Sequence, residues 1–177
     1  MTDSALVALD ALVADLANAL APRGWMLVTA ESCTGGGIAA ACTDRAGSST
    51  WFERGVVSYS NAAKRELLGV PEALLEAHGA VSEAVALAMA SGALARSPAD
   101  VAVAVTGVAG PGGGSPEKPV GTVWISTAVR GARAIATLHR FPGDRRAVRE
   151  ETVRVALDLT RRAIEGVDLA DVPRGAG

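Results

Sequence analysis

A carboxylate, a hydroxyl and a thiol lie side by side in Glu31-Ser32-Cys33, just ahead of three consecutive glycines, Gly35 to Gly37. An apolar run from Trp25 to Thr29 precedes this cluster, and a run of small residues from Ile38 to Thr43 follows it. The cluster is therefore predicted to lie where a strand ends and a helix begins. Helix-start amides have no partner within the helix, and glycines let a ligand approach them. The stretch is either half of a nucleophile site or a glycine-rich turn capped by Ser or Thr.

A serine nucleophile needs a base, and the two histidines are poor candidates for it. His78 falls at the end of a predicted helix and His139 in the middle of a predicted strand, so a Ser-His-Asp triad is disfavoured. Lys64 lies one turn into a predicted helix that follows Tyr59. The helix dipole and burial would lower its pKa and make it a general base, whereas a solvated surface lysine is the alternative. A Ser32–Lys64 pair with Tyr59 as proton shuttle is the remaining serine hypothesis.

Cys33 is the rival nucleophile, because a thiol near a helix N-terminus has a lowered pKa. No histidine lies in the predicted site to pair with it. Cys33 and Cys42 are too few for a disulfide framework and suit a reducing, cytoplasmic location. The scattered cysteines and histidines form no metal-ligand set, so no metal is expected.

A second glycine-rich segment, Thr106 to Pro119, follows a predicted buried strand. Its backbone amides could cradle an anion, and a flexible connector is the alternative. Arg145, at the start of the last predicted helix, could bind a phosphate or carboxylate with two N–H groups, or simply be a surface charge.

Composition indicates one ordered domain: 49% of the 177 residues are hydrophobic and 20% are charged. The net charge of −2 provides no basic face, so nucleic acid is not an expected partner. The first apolar stretch is interrupted by Asp10 and Asp15, which predicts an amphipathic helix and no membrane partner. A single domain is expected over residues 1–170, with a flexible tail over 171–177.

Helical and strand patterns alternate early in the chain, and a hairpin follows late. This order predicts an α/β protein, a three-layer αβα sandwich with a mixed, mostly parallel sheet. Polar loops follow three of its strands and should meet at one edge of the sheet. The predicted strands are 25–29, 55–60, 101–105, 121–129 and 132–141; the predicted helices run from residue 3 or 4 to about 20, from 38 to about 45, over 62–68, from 71 to about 78, from 82 to about 95, and over 144–164.

Seven motifs together resemble the C-terminal domain of the competence-damage protein CinA, over about residues 5 to 165. They are Ala30-Glu31-Ser32-Cys33-Thr34-Gly35-Gly36, Ala46-Gly47-Ser48-Ser49, Arg54-Gly55, Tyr59-Ser60-Asn61 with Lys64, Gly79-Ala80-Val81-Ser82, Thr106-Gly107-Val108-Ala109-Gly110-Pro111 and Lys118-Pro119-Val120-Gly121-Thr122-Val123. The resemblance is to the stand-alone members of the family, which are nicotinamide-nucleotide amidases. It implies conversion of nicotinamide mononucleotide and water to nicotinic acid mononucleotide and ammonia, with no cofactor.

The same resemblance implies Ser32 as nucleophile, Lys64 as base and Tyr59 as helper in proton transfer. The Gly35 and Gly36 amides are candidate oxyanion donors. The full set of residues expected to contact the nucleotide substrate is Thr34, Gly35, Gly36, Ser49, Thr106, Gly107 and Arg145. Family members tend to be dimers or larger assemblies, which implies a homo-oligomer. A non-catalytic mononucleotide-binding module and an amidase for a different small amide remain the alternatives.

Overall fold

A five-stranded sheet forms the middle layer of the computed structural model, which describes residues 3–166. Its strands are β1 Leu27–Glu31, β2 Phe52–Val57, β3 Val101–Gly107, β4 Thr122–Val129 and β5 Ile135–Arg140. The spatial order is β2-β1-β3-β4-β5. β1 pairs in parallel with β2 and with β3, whereas β4 is antiparallel to both β3 and β5. Every strand except β4 therefore runs in one direction, as a mixed, mostly parallel sheet requires.

Helices cover both faces of this sheet. One apolar core combines α1 Asp3–Leu20, α2 Gly37–Thr43 and α6 Arg145–Glu165 with one face of the sheet. A second core combines α3 Asn61–Leu68, α4 Glu72–His78 and α5 Glu83–Ala95 with the opposite face. The predicted three-layer αβα sandwich is thus confirmed. The predicted tail over 171–177 lies outside the described residues. No helix within residues 3–166 combines the length and apolar character that a membrane crossing needs.

The central strand β3 explains how the two cores are divided. Val101, Val103 and Val105 belong to the first core, and Ala102 and Ala104 belong to the second. All five side chains are fully buried. The continuous apolar run had predicted this burial, because it is typical of a strand covered on both faces. Because alanine is small, α5 can lie close to this strand.

Two predicted boundaries near the site are wrong. β1 extends past Thr29 to Glu31, and β2 covers Phe52–Val57 instead of residues 55–60. The parallel register with β1, which pairs Glu31 with Val57, sets where β2 ends. The polar segment after Val57 is consequently a loop, and Ser60 caps α3 by accepting a hydrogen bond from the Ala63 amide.

Gly92 lies where α5 touches the end of α3. A Cβ atom at this position would lie 1.9 Å from the carbonyl oxygen of Leu68, so the two helices could not keep their present spacing. We expect Gly92→Ala to lower the free energy of unfolding by about 2 kcal/mol or more, as overpacking does. Urea denaturation measures the change. Gly112→Ala is the matched control, because a Cβ there meets open space, and it should stay within about 1 kcal/mol of wild type. Equal effects of the two substitutions would contradict the packing argument.

Candidate active site

A cavity of about 290 Å³ opens where β1, β2 and β3 reach their carboxyl ends. The loops that follow these three strands contribute most of its wall. The polar loops therefore meet at one edge of the sheet, as the sequence predicted. Residues of α3, of α6 and of the loop between α4 and α5 complete the wall. The lining residues are Ser32, Cys33, Tyr59, Lys64, Ala80, Val81, Thr106, Gly107, Val108, Ala109, Gly110, Gly112, Gly113 and Arg145.

Lys64 and Ser32 form the central contact of this cavity. Lys64 Nζ lies 3.0 Å from Ser32 Oγ, 2.9 Å from the Ser58 carbonyl oxygen and 3.3 Å from the Tyr59 carbonyl oxygen. The lysine is 1% exposed, and no acidic residue hydrogen-bonds to its amine within the described chain. Burial lowers the pKa of Lys64, and a weaker interaction with Cys33 raises it. A lysine in this environment holds a neutral amine far more readily than a surface lysine does.

The turn that carries Ser32 is fixed by the backbone on both sides. The Ser32 amide donates to the Val105 carbonyl of the neighbouring strand at 3.1 Å. The Ser32 carbonyl accepts from the Gly35 amide, also at 3.1 Å, which closes a tight turn. Gly35 and Gly36 take positive φ angles of 61° and 96° in this turn, a conformation that favours glycine.

Glu31 is a site residue to which the sequence assigned no role. Its carboxylate is fully buried and accepts five hydrogen bonds, which saturate both oxygens. The donors are the Thr29 and Thr34 hydroxyls and the Gly36, Ile38 and Ala39 amides. A carboxylate thus occupies the N-terminus of α2, the position where helices commonly bind anionic ligands. An acidic residue at the end of an otherwise apolar strand was the available sequence signal.

This arrangement corrects the expected roles of Thr34, Gly35 and Gly36. The Gly36 amide and the Thr34 hydroxyl donate to Glu31, and the Gly35 amide donates to Ser32 O. None of the three residues lines the cavity. The hydrogen bonds of these three residues shape the nucleophile turn, and their donor groups are already occupied within the protein.

Ser49 is also not brought to the cavity. It lies exposed in a short 3-10 turn, Ser48–Thr50, that connects α2 to β2. It is absent from the cavity lining among the described residues. The motif that contains Ser49 therefore forms the turn that connects α2 to β2.

Cys33 lines the cavity but its thiol is not activated. Burial raises its pKa to about 11, and the nearby Glu31 carboxylate raises it further than Lys64 lowers it. The first amides of α2 donate to the Glu31 carboxylate, and burial outweighs the backbone hydrogen bond that lowers the pKa of the thiol. At neutral pH the thiol is protonated, whereas the Ser32 hydroxyl has a base 3.0 Å away.

We expect Cys33→Ala to retain hydrolytic activity within about five-fold of wild type, because a protonated buried thiol supplies no nucleophile. Ammonia release from the amide substrate that the family resemblance implies measures this activity. Wild-type activity should also survive iodoacetamide at pH 7. Loss of activity in a folded Cys33→Ala variant would make the thiol part of the chemistry.

The three other predicted contacts, Thr106, Gly107 and Arg145, do line the cavity. The buried Thr106 hydroxyl donates to the Ala80 carbonyl at 2.8 Å and ties β3 to the loop before α5. Gly107 ends β3, where a Cβ would lie 2.7 Å from the Thr122 carbonyl oxygen, so only glycine fits there.

Arg145 spans the mouth of the cavity from the first turn of α6. One of its terminal nitrogens donates to the Gly110 carbonyl at 2.8 Å, and the other donates to the Tyr59 hydroxyl at 3.1 Å. Apart from the buried Lys64, Arg145 is the basic residue of the cavity wall, and none of the described residues lining it is acidic. The cavity therefore favours an anionic ligand. Within residues 3–166, no three His, Cys, Asp or Glu side chains cluster as a metal site requires.

The fold and the cavity define an α/β protein that holds a buried serine–lysine pair beside an arginine. The model of the CinA C-terminal domain family matches residues 9–164, nearly all of the described chain. The chain belongs to this family, which confirms the resemblance seen in its motifs.

Individual relatives agree with this assignment. Nicotinamide-nucleotide amidohydrolase PncC of Escherichia coli (strain K12) is 53% identical over 157 residues, which cover 89% of this chain and 93% of the relative. A CinA-like protein of Mycolicibacterium vanbaalenii is 56% identical over 165 residues, but this chain spans only 37% of that protein's length. The crystal structure of competence/damage inducible protein CihA from Agrobacterium tumefaciens superposes with a TM-score of 0.86 at 48% identity, covering 89% of this chain and 96% of the other.

Proposed function

We propose that this protein hydrolyses the carboxamide of nicotinamide mononucleotide to give nicotinic acid mononucleotide and ammonia. The observation that carries the proposal is the 3.0 Å contact between Lys64 Nζ and Ser32 Oγ, in a cavity lined also by Arg145 and, among the described residues, by no acidic side chain. The name of the E. coli relative, a nicotinamide-nucleotide amidohydrolase, supports the choice of substrate. The reaction is that of a serine amidase in which lysine replaces histidine as the base.

The lysine contacts suggest how the serine is activated. A neutral amine has two N–H groups and one lone pair, and carbonyl oxygens can only accept hydrogen bonds. The Ser58 and Tyr59 carbonyls accept the two N–H groups, so the lone pair faces Ser32 Oγ. Lys64 thus takes the serine proton as Oγ attacks the carboxamide carbon.

Acylation and deacylation then use the same pair of residues. The C–O bond to Ser32 forms, the C–N bond breaks, and the proton held by Lys64 passes to the departing nitrogen, which leaves as ammonia. A water molecule, deprotonated by the neutral lysine, attacks the resulting ester. The C–O bond to Ser32 breaks, the proton returns to the serine oxygen, and the product carboxylate is released. The Cys33 amide, one residue after the nucleophile, is the candidate oxyanion donor, in the position that α/β-hydrolases use.

The phosphate of the substrate is assigned to Arg145 and the adjoining glycine-rich loop. Lys64 is committed to the nucleophile, and Glu31 occupies the N-terminus of α2. Arg145 is therefore the remaining cation of the cavity wall, and an arginine can bind a phosphate through two N–H groups at once.

The decisive assay is ammonia release from nicotinamide mononucleotide by the purified protein, with and without a chelator. Activity that persists in the chelator supports the metal-free serine mechanism. Tight binding of the nucleotide without any ammonia would instead favour a non-catalytic binding module. Faster hydrolysis of another small amide in a substrate panel would change the substrate and keep the chemistry.

A further inference from the structure

The Tyr59 hydroxyl hydrogen-bonds to Arg145 and, among the described residues, to neither Ser32 nor Lys64. The Tyr59 side chain is 60% exposed, and its hydroxyl accepts a hydrogen bond from Arg145. Lys64 contacts Tyr59 only through the backbone carbonyl. The family resemblance implies a helper in proton transfer at this position, yet the hydroxyl is bonded to a residue that takes no part in that transfer.

Arg145 is held from two sides by these contacts. The Gly110 carbonyl fixes one terminal nitrogen and the Tyr59 hydroxyl fixes the other. A guanidinium has five N–H groups in a rigid plane, so two anchored groups leave others directed elsewhere. Two fixed contacts restrict the long arginine side chain before any ligand arrives, and this reduces the conformational entropy that binding must remove.

We infer that Tyr59 is a positioning residue for phosphate recognition: its hydroxyl holds Arg145 in the orientation that receives the phosphomonoester of the substrate. The inference rests on the proposed function and names the part of the substrate that Tyr59 serves. Proton transfer then belongs to Lys64, which already contacts the reacting hydroxyl at 3.0 Å. Arg145 binds the phosphate directly, and Tyr59 acts through Arg145.

The test compares nicotinamide mononucleotide with nicotinamide riboside, which lacks only the phosphate. The measured quantity is the ratio of kcat/KM for the nucleotide to kcat/KM for the nucleoside. Tyr59→Phe should lower this ratio about ten-fold, chiefly through a higher KM for the nucleotide, since it loses one hydrogen bond to a charged group. Arg145→Gln should lower it about 100-fold. The double variant should fall little further than Arg145→Gln alone, because the two residues act as one unit.

A role in proton transfer gives the opposite pattern. Tyr59→Phe would then lower kcat equally for both substrates and leave the ratio at its wild-type value, which would overturn the inference. Additive effects in the double variant would overturn it as well. Arg146→Gln is the matched control, because Arg146 lies next along α6, forms a salt bridge to Glu150 and does not line this cavity. Its ratio should equal that of wild type.

A binding measurement separates this inference from the proposed function. If wild-type protein released no ammonia from either compound, the proposed function would fail, whereas calorimetry would still decide the role of Tyr59. In a Ser32→Ala background, Tyr59→Phe should raise the Kd for nicotinamide mononucleotide about ten-fold and leave the nucleoside Kd unchanged. Equal shifts for both compounds, or none for the nucleotide, would overturn the assignment.

Discussion

Replacing Ser32 with alanine is expected to reduce ammonia release from nicotinamide mononucleotide by about 10⁴-fold or more, because it removes the atom that forms the proposed covalent intermediate. The loss should appear in kcat and not in KM, since Ser32 is small and its turn is held by Glu31 and by backbone hydrogen bonds. Single-turnover assays at high enzyme concentration measure a residual rate of this size.

Two controls test whether the loss of activity comes from the missing hydroxyl itself. Thermal unfolding should show a Tm close to wild type, because alanine fits wherever serine does at this position. Mass spectrometry of quenched wild-type reactions should reveal an acyl adduct on the peptide containing Ser32. A Ser32→Ala variant with wild-type turnover, together with an inactive Cys33→Ala variant, would transfer the nucleophile to the thiol.

Lys64→Met is expected to lower kcat/KM by about 10³-fold, the loss that follows removal of a well-placed general base. Methionine is unbranched like lysine and fills most of its buried space, so the variant isolates the amine. The pH profile carries the more specific prediction. Burial lowers the pKa of Lys64, and the neutral amine is the proposed base, so wild-type kcat/KM should rise with pH and level off below the ordinary lysine value of 10.5.

The residual activity of Lys64→Met should lack this rising limb, because the group that titrates has been removed. A limb that survives the substitution would belong to another residue and would contradict the assignment. The same is true of a wild-type profile that falls where Lys64 loses its proton. Initial rates over pH 5 to 10 for both proteins provide the comparison.

The layered fold followed from local patterns, which explains why it was predictable. The apolar run at 101–105 could be buried only between two helical layers, and β3 is buried in that way. Ser82 and Asp144 both cap helices through their side-chain oxygens, where the sequence placed helix starts. The end of β2 was misplaced because its register is set by pairing with β1, a contact remote in sequence.

The site was predictable only in part, for a similar reason. Lys64 could be proposed as the base because its position in α3 relative to the loop after β2 is local. The partner of the Tyr59 hydroxyl could not, because Arg145 lies 86 residues away along the chain. The organising role of Glu31 could not be predicted, because a carboxylate that accepts five hydrogen bonds looks, in sequence, like any acidic residue beside glycines.

The Glu31 carboxylate also separates the two tasks of the cavity. Since it satisfies the amides of the nucleophile turn from within the protein, the reactive serine is in place before any substrate binds. The groups proposed to bind the substrate phosphate lie elsewhere, around Gly110 and Arg145. The reactive residues and the substrate-binding residues are therefore separate parts of the cavity. Substitutions around Arg145 should change which anionic amide is bound and leave the serine–lysine pair unaltered.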